Sequence, residues 1–190
     1  MAVGIDANIN LESVRALQGR RFERAALKAA RAAASRGLRD MRAEASKRVR
    51  NRKRIKARRV REALVLSRPR GSKLDDLEFG VRVRGDPMYV SDYSYRATKR
   101  RGVSVQINKG KRSVIPDAFE ATMASGHKGV FVRRGVDRLP IDELLASRPV
   151  DALLHEGEAQ GVQRRGVESW ESTFAHRMKV EMDKMSGGGE

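Results

Sequence analysis

The fold is decided by residues 96–149, whose centre reads Val103-Ser104-Val105-Gln106-Ile107-Asn108-Lys109-Gly110. Apolar and polar side chains alternate over residues 103–108, which is typical of a strand with one buried and one solvated face. A turn follows, because Gly110 can adopt a positive φ angle. Residues 114–116 then return beside the first strand, with Pro116 at its end or edge. The pattern predicts an antiparallel hairpin.

More strands are predicted on both sides of this hairpin, separated by turns. They cover residues 77–84, 88–90, 130–132 and 139–141. Residues 117–123 instead indicate one or two helical turns with Asp117 at the cap position, ended by the glycines of residues 126–129. We therefore expect one small antiparallel sheet in the middle of the chain.

A long helix is predicted over residues 11–49, after a short strand that contains Ile5, because this segment is rich in Ala, Arg and Leu and lacks proline. Small apolar residues form a stripe along it: Leu27, Ala30, Ala34, Leu38, Met41 and Ala45. A straight helix of this length would measure about 57 Å. We therefore expect it to bend at Gly19 or Gly37, with Gly37 favoured, or to reach another subunit.

A second long helix is predicted near the C-terminus, where apolar residues recur at helical spacing from residue 167 to residue 185. Four of them are predicted as packing residues, at the core or between subunits: Trp170, Phe174, Met178 and Met182. The two aromatic rings suit core anchors. The methionines suit either an adaptable core or a groove between subunits.

Together these elements predict an α+β fold with a long N-terminal helix, a small antiparallel β-sheet and an amphipathic C-terminal helix. We expect one structural domain with extensions. Its regions are a basic helical region at 1–70 with a short second helix at 56–64, a sheet region at 71–150, a connecting arm at 151–166, and the C-terminal helix with a frayed tail at 167–190. Aromatic residues make up only 5% of the chain, so stability is expected to depend partly on neighbouring subunits.

The positive charge of the chain is concentrated in one segment. Residues 15–70 contain 21 Lys or Arg against 4 Asp or Glu, so the whole net charge of +17 lies there. Such a segment attracts polyanions and indicates contact with nucleic acid. The alternative is a solubilising helix in a protein from an arginine-favouring genome.

The densest basic run covers residues 47–61 and contains no aromatic residue. Proteins that bind single strands usually supply aromatic stacking platforms, so we expect contact with the backbone of double-stranded DNA instead. The same side chains also suit acidic surfaces of neighbouring subunits. The predicted contact residues are Arg48, Arg50, Arg52, Lys53, Arg54, Lys56, Arg58 and Arg59.

Other function classes find little support. The chain has no cysteine, and His127, His155 and His176 lack the spacing of a metal site, so we expect no cofactor and no enzymatic activity. The acids of residues 75–78 indicate a solvated turn before a strand rather than a cation site. No segment approaches the ~20 apolar residues of a membrane span, and residues 1–10 do not form a signal peptide, so a soluble protein assembled in the cytoplasm is expected.

Four segments occur in a telling order. They read Arg96-Ala97-Thr98-Lys99-Arg100-Arg101-Gly102-Val103-Ser104-Val105, Ala118-Phe119, Ser125-Gly126-His127-Lys128-Gly129-Val130-Phe131-Val132-Arg133 and Arg138-Leu139-Pro140-Ile141. In this order they resemble the prophage minor tail protein Z family, the tail-completion proteins of long-tailed phages. From about Phe22 to the C-terminal helix, the distribution of helix and charge also resembles that family.

The resemblance implies a virion component without catalytic activity, at the upper end of the tail near the head–tail junction or neck. It implies a homo-oligomeric ring, expected to be a hexamer, that matches the six-fold symmetry of the tail. Its implied partners are further copies of itself and the tail terminator, tail tube or connector proteins, with a role in completing the tail so that packaged DNA enters or is held. The strongly basic segment at 15–70 departs from the family and suggests a partner specific to this phage.

A second hypothesis comes from charge alone. A free, sequence-independent nucleic-acid-binding protein, associated with ribosomes or the nucleoid, would carry the same basic run. The two hypotheses overlap, because a ring at the top of a tail could turn these arginines towards DNA.

Overall fold

The computed structural model describes residues 3–7, 20–98 and 100–186, and it has the predicted α+β class. Its α-helices are α1 (Arg20–Arg52), α2 (Ala57–Ala63) and α3 (Glu158–Ser186). Its strands are β1 (Val3–Ala7), β2 (Leu64–Arg70), β3 (Glu78–Val83), β4 (Ser94–Thr98), β5 (Gly102–Gln106), β6 (Ser113–Ile115), β7 (Phe119–Thr122), β8 (Lys128–Arg133) and β9 (Ile141–Glu143). Within the described ranges, no helix combines the length and the hydrophobicity that a bilayer span requires.

The chain divides into two compact units whose segments alternate along the sequence. The first unit consists mainly of Ser46–Ala63 and Val83–His155. The second consists mainly of residues 20–45, Leu64–Arg82 and residues 156–186. The basic run at 47–61 therefore belongs to the unit that also contains β4 to β9.

The predicted hairpin is confirmed in the first unit. β5 pairs antiparallel with β4 on one side and with β6 on the other. Val103 and Val105 are buried, while Ser104 lies on the more exposed face, as the alternation predicts. In place of one small sheet, however, the described strands form three, in the orders β1-β3-β2, β4-β5-β6 and β7-β8-β9.

The helix predicted at residues 117–123 is wrong. Asp117 has a φ angle of 60°, which the cap position of a right-handed helix does not allow. The chain instead enters β7, and Phe119 pairs with Phe131 of β8, with 6.3 Å between their ring centroids. The predicted strand at 88–90 is also wrong, because Tyr89 makes only a single bridge and a short 3₁₀ helix follows at Val90–Asp92.

α1 is one helix from Arg20 to Arg52, so the chain does not break at Gly37. A Cβ atom at Gly37 would lie 2.9 Å from the carbonyl oxygen of Gly166 in α3 and 3.2 Å from the ring of Phe79. Gly37 thus allows α1 to pack closely against Gly166 and Phe79. The predicted stripe of α1 is largely confirmed, since its members from Ala30 to Ala45 are buried. The predicted start at residue 11 and the alternative bend at Gly19 lie outside the described residues.

The C-terminal helix begins at Glu158 rather than at Val167, so the arm predicted for residues 151–166 is wrong over 158–166. Gly161 and Gly166, which suggest a loop in the sequence, are buried within α3. A Cβ atom at Gly166 would overlap the side chain of Met41 in α1. Gly166 therefore marks a close helix–helix approach in the second unit.

Replacing Gly37 with alanine should lower the free energy of unfolding by about 1–3 kcal/mol, because an added methyl group overpacks this contact. Helix propensity alone predicts the opposite sign, a gain of up to about 1 kcal/mol. Urea unfolding measures the change. Gly135→Ala is the control, since nothing lies within 4 Å of its added Cβ atom. A Gly37→Ala chain as stable as the wild type would contradict this packing.

Candidate nucleic-acid interface

The basic run is held in place by backbone hydrogen bonds within the first unit. After α1 ends, Arg54 N donates to Ile107 O at 2.8 Å and Ser94 N donates to Arg54 O at 3.0 Å. Lys109 N donates to Arg52 O at 2.8 Å. The link between α1 and α2 therefore lies against the start of β4 and the turn between β5 and β6. The buried side chain of Ile55 anchors it from inside the unit.

These contacts build a groove of about 340 Å³, which we call the basic groove. Its lining residues are Lys47, Arg50, Asn51, Lys53, Arg54, Ile55, Lys56, Ser94 and Lys109. The lining contains neither a carboxylate nor an aromatic ring. Lys47, Asn51, Ser94 and Lys109 are not among the eight contact residues predicted from the sequence. At Lys109 the sequence pattern predicts only a turn.

Three cations of the groove are exposed and make no ion pair or side-chain hydrogen bond with any described residue: Lys47, Arg54 and Lys109. Arg50 Nε donates to Ser46 O of its own helix at 3.3 Å, and Lys56 Nζ donates to Ser91 O at 2.7 Å. The ammonium and guanidinium groups of the groove thus keep most of their hydrogen-bonding capacity for an external anion.

Lys53 differs from its predicted role as a contact residue. Its side chain is only 6% exposed, and its Nζ donates to Ser147 Oγ at 2.6 Å. Burial lowers the pKa of this ammonium, since an apolar environment disfavours the charged form, although the nearby Asp151 carboxylate acts in the opposite direction. Lys53 therefore lines the inner wall of the groove. Its ammonium group is bound to Ser147 and is not counted among the cations that face a partner.

Arg58 and Arg59 lie on α2 and are paired with carboxylates. Arg58 Nε donates to Glu62 at 2.8 Å, and Arg59 bridges Glu62 at 3.0 Å and the buried Asp92 at 2.7 Å. Hydrogen bonds from Arg58 and Arg59 lower the pKa of Glu62, and the bonds to Glu62 and Asp92 raise the pKa of Arg59. The charge of Arg59 thus compensates a buried carboxylate.

The remaining predicted contact residues lie outside the groove lining. Arg48 is half-buried in the last turns of α1, and Arg52 is exposed at its end. The sequence predicts all eight cations as contact residues of one basic run. The structure brings Arg50, Lys53, Arg54 and Lys56 to one groove and places Arg48, Arg52, Arg58 and Arg59 elsewhere.

The predicted packing residues of α3 are divided between core and surface. Trp170 is buried, donates from Nε1 to Ala30 O at 3.1 Å, and stacks on Phe174 with 4.8 Å between ring centroids. Met178 is also buried, against Ala26 and Ala29 of α1. Met182 is 48% exposed. The first three therefore pack within their own unit.

In the parts of the chain that are described, no three His, Asp or Glu residues are grouped so that they could hold a metal ion. His127 Nε2 lies 2.9 Å from Glu143 Oε2, which links the residue before β8 to the end of β9. The Asp76 carboxylate accepts hydrogen bonds from the backbone of Lys73 and Ser72, which lower its pKa. It forms a turn, as predicted.

No family model, no curated protein sequence and no solved structure matches this chain. The resemblance to the prophage minor tail protein Z family therefore stays a prediction.

Arg54→Gln and Lys53→Met form a matched pair, because adjacent cations are lost from opposite sides of one segment. Arg54→Gln should weaken binding to duplex DNA of any sequence and reduce the dependence of log K on log salt by about 1. Lys53→Met should leave affinity within about twofold of wild type, since a buried ammonium neutralises no phosphate. Fluorescence anisotropy at several salt concentrations measures both. Equal losses in the two variants would contradict the assignment.

Lys53 should also give the wild type a dependence of stability on pH that Lys53→Met lacks. Because the pKa of Lys53 is lowered in the folded state, the unfolded chain binds more protons between that lowered pKa and 10.5. The wild type therefore gains stability as pH rises through this window, and Lys53→Met lacks that gain. Urea unfolding of both chains across the window measures the difference. A wild-type curve parallel to that of the variant would contradict the burial of a charged Lys53.

Proposed function

We propose that this protein is a structural, non-catalytic component of a phage tail, at the tail's upper end near the head–tail junction, and that its basic groove contacts the backbone of duplex DNA. The observation that carries the DNA contact is the groove itself. It gathers Lys47, Arg54 and Lys109 on one surface without a carboxylate to neutralise them.

The composition of the lining favours the phosphate backbone as the ligand. Lysine and arginine side chains bind phosphates and release condensed counterions, which makes such binding sequence-independent and sensitive to salt. The absence of aromatic rings from the lining argues against stacking with unpaired bases.

The tail role is supported by the ordered resemblance described above. Its segments fall on β4, β5, β7 and β8 and on the approach to β9, all in the unit that carries the groove. In a ring of identical subunits, proposed as a hexamer, these grooves would surround DNA held at the junction. Exposed apolar side chains suit contacts with further copies or with terminator, tube or connector proteins: Leu145, Leu154, Met182 and Met185.

A free nucleic-acid-binding protein is the second candidate, because the same groove would serve it without any virion. The two functions differ in where the protein is found. A tail component is incorporated into particles, whereas a free binding protein remains in the cell and is dispensable for assembly.

Deletion of the gene, followed by electron microscopy and a protein inventory of the particles, tests the tail role. We expect filled heads and tails of normal length that fail to join, or that join without infecting, because a completion component acts after both are built. Fully infectious particles that lack the protein would overturn the tail role and favour the free binding protein.

Complementation with groove variants separates the two parts of this proposal. A chain with Lys47→Gln, Arg54→Gln and Lys109→Gln should enter particles but leave them with reduced infectivity, because only its DNA contact is weakened. The wild-type chain and Lys53→Met are the controls. Full infectivity of the triple variant would contradict the role of the groove while leaving the tail assignment in place.

A further inference from the structure

A second basic surface lies on the sheet formed by β4, β5 and β6. We call it the arginine face. It encloses about 390 Å³ and is lined by Arg96, Thr98, Arg101, Gly102, Ser104, Arg112 and Val114. In the sequence this segment predicts a hairpin and carries part of the family resemblance, but none of its arginines is among the predicted contact residues.

Strand register explains why these side chains share one face. Arg96 pairs with Ser104, and Ser104 pairs with Val114, so the three residues lie side by side on the same face of the sheet. The alternating residues Val103 and Val105 point to the other face, where they are buried. Because side chains on a strand alternate between its two faces, burial of the valines leaves the polar residues on the exposed face.

The turn between β4 and β5 fixes the position of Arg101 on this face. Thr98 Oγ1 donates to Gly102 O at 3.0 Å and accepts from Arg101 N at 3.3 Å. Gly102 has a φ angle of 78°, and a Cβ atom there would overlap the carbonyl oxygen of Ile115 in β6. The backbone around Arg101 is therefore held by the hydrogen bonds of Thr98 and by the close approach of Gly102 to β6.

The charges of the arginine face have no compensation from the described residues. The side chains of Arg96 and Arg101 make no ion pair or hydrogen bond with any of them. Arg112 Nη1 makes only long hydrogen bonds, to Ser104 Oγ at 3.3 Å and Ser104 O at 3.4 Å. The lining contains no carboxylate and no aromatic ring. Three exposed guanidinium groups with nearby hydroxyl groups suit phosphate oxygens.

The arginine face is continuous with the basic groove. Ser94 lines the groove and Arg96 lines the arginine face, and both belong to β4. Residues two apart on a strand point to the same side and lie about 6.6 Å apart. Lys109 of the groove and Arg112 of the face both lie between β5 and β6. One surface of the first unit thus carries both sets of cations.

We propose that the arginine face is a second phosphate-binding surface, so that a DNA duplex seated in the basic groove also contacts Arg96, Arg101 and Arg112 through its backbone. This inference rests on the proposed DNA contact of the groove and extends its footprint. An acidic protein segment is the competing occupant. The duplex is favoured because its phosphates recur at short intervals along a continuous track of cations, as the two surfaces require.

Salt titration of binding to a random-sequence duplex of about 30 base pairs tests the proposal with the full chain. The sheet variant carries Arg96→Gln, Arg101→Gln and Arg112→Gln, and the groove variant carries Lys47→Gln, Arg54→Gln and Lys109→Gln. A third variant with Arg68→Gln, Arg70→Gln and Arg82→Gln removes the same charge from the second unit. Because the sheet arginines are exposed, their substitution should leave folding unchanged, and thermal unfolding checks this.

We expect the sheet variant to reduce the slope of log K against log salt by up to about 2.7, which is 0.9 for each lost phosphate contact. The groove variant should show a similar reduction of this slope, and the third variant only a small one. A sheet variant with the wild-type slope, beside a groove variant that has lost affinity, would overturn this inference and leave the proposed function standing.

The other outcomes are equally decisive. If the wild type fails to bind the duplex, the DNA contact of the groove fails together with this inference. If the sheet variant keeps the wild-type DNA slope but loses binding to poly-glutamate, the face binds an acidic protein and the inference is overturned. Equal losses in the sheet variant and the second-unit variant would show an effect of net charge and would also overturn it.

Discussion

The candidate interface depends on the backbone hydrogen bonds that hold residues 53–56 against β4 and the β5–β6 turn. Because these bonds keep the link between α1 and α2 extended, its side chains alternate between inside and outside. Lys53 and Ile55 point inward and are buried, while Arg54 and Lys56 point outward and are exposed. The same bonds bring Lys109 beside the end of α1, so cations from distant parts of the sequence share one groove.

This arrangement separates the basic run into side chains that stabilise the protein and side chains that remain for a partner. Arg59 is bound to Asp92 and Glu62, and the Lys53 ammonium is bound to Ser147. Lys47 and Arg54 have no such contact with the described residues. A net charge of +17 therefore overstates the cations available to a polyanion, and their location matters more than their number.

Much of the fold follows from local patterns, whereas the errors arise where tertiary contacts decide. Alternation predicts β5 and helical spacing predicts the buried stripe of α1, because each pattern matches a buried face. The sequence suggests only conformational freedom for Gly37, since it does not reveal that Gly166 packs against it. The burial of Lys53 is not predicted either, because a run of cations carries no sign of which side chain points inward. The arginine face was missed because its three arginines are separated in sequence and meet only through strand pairing.

We propose that the exposed cations of the first unit meet DNA in the assembled particle. Photo-crosslinking from position 54, with a photoreactive amino acid in place of Arg54, tests this contact, and the exposed Val136 serves as the background position. We predict covalent adducts between position 54 and packaged DNA, well above those formed from position 136. Adducts to protein alone, or particles that contain none of this chain, would contradict the account.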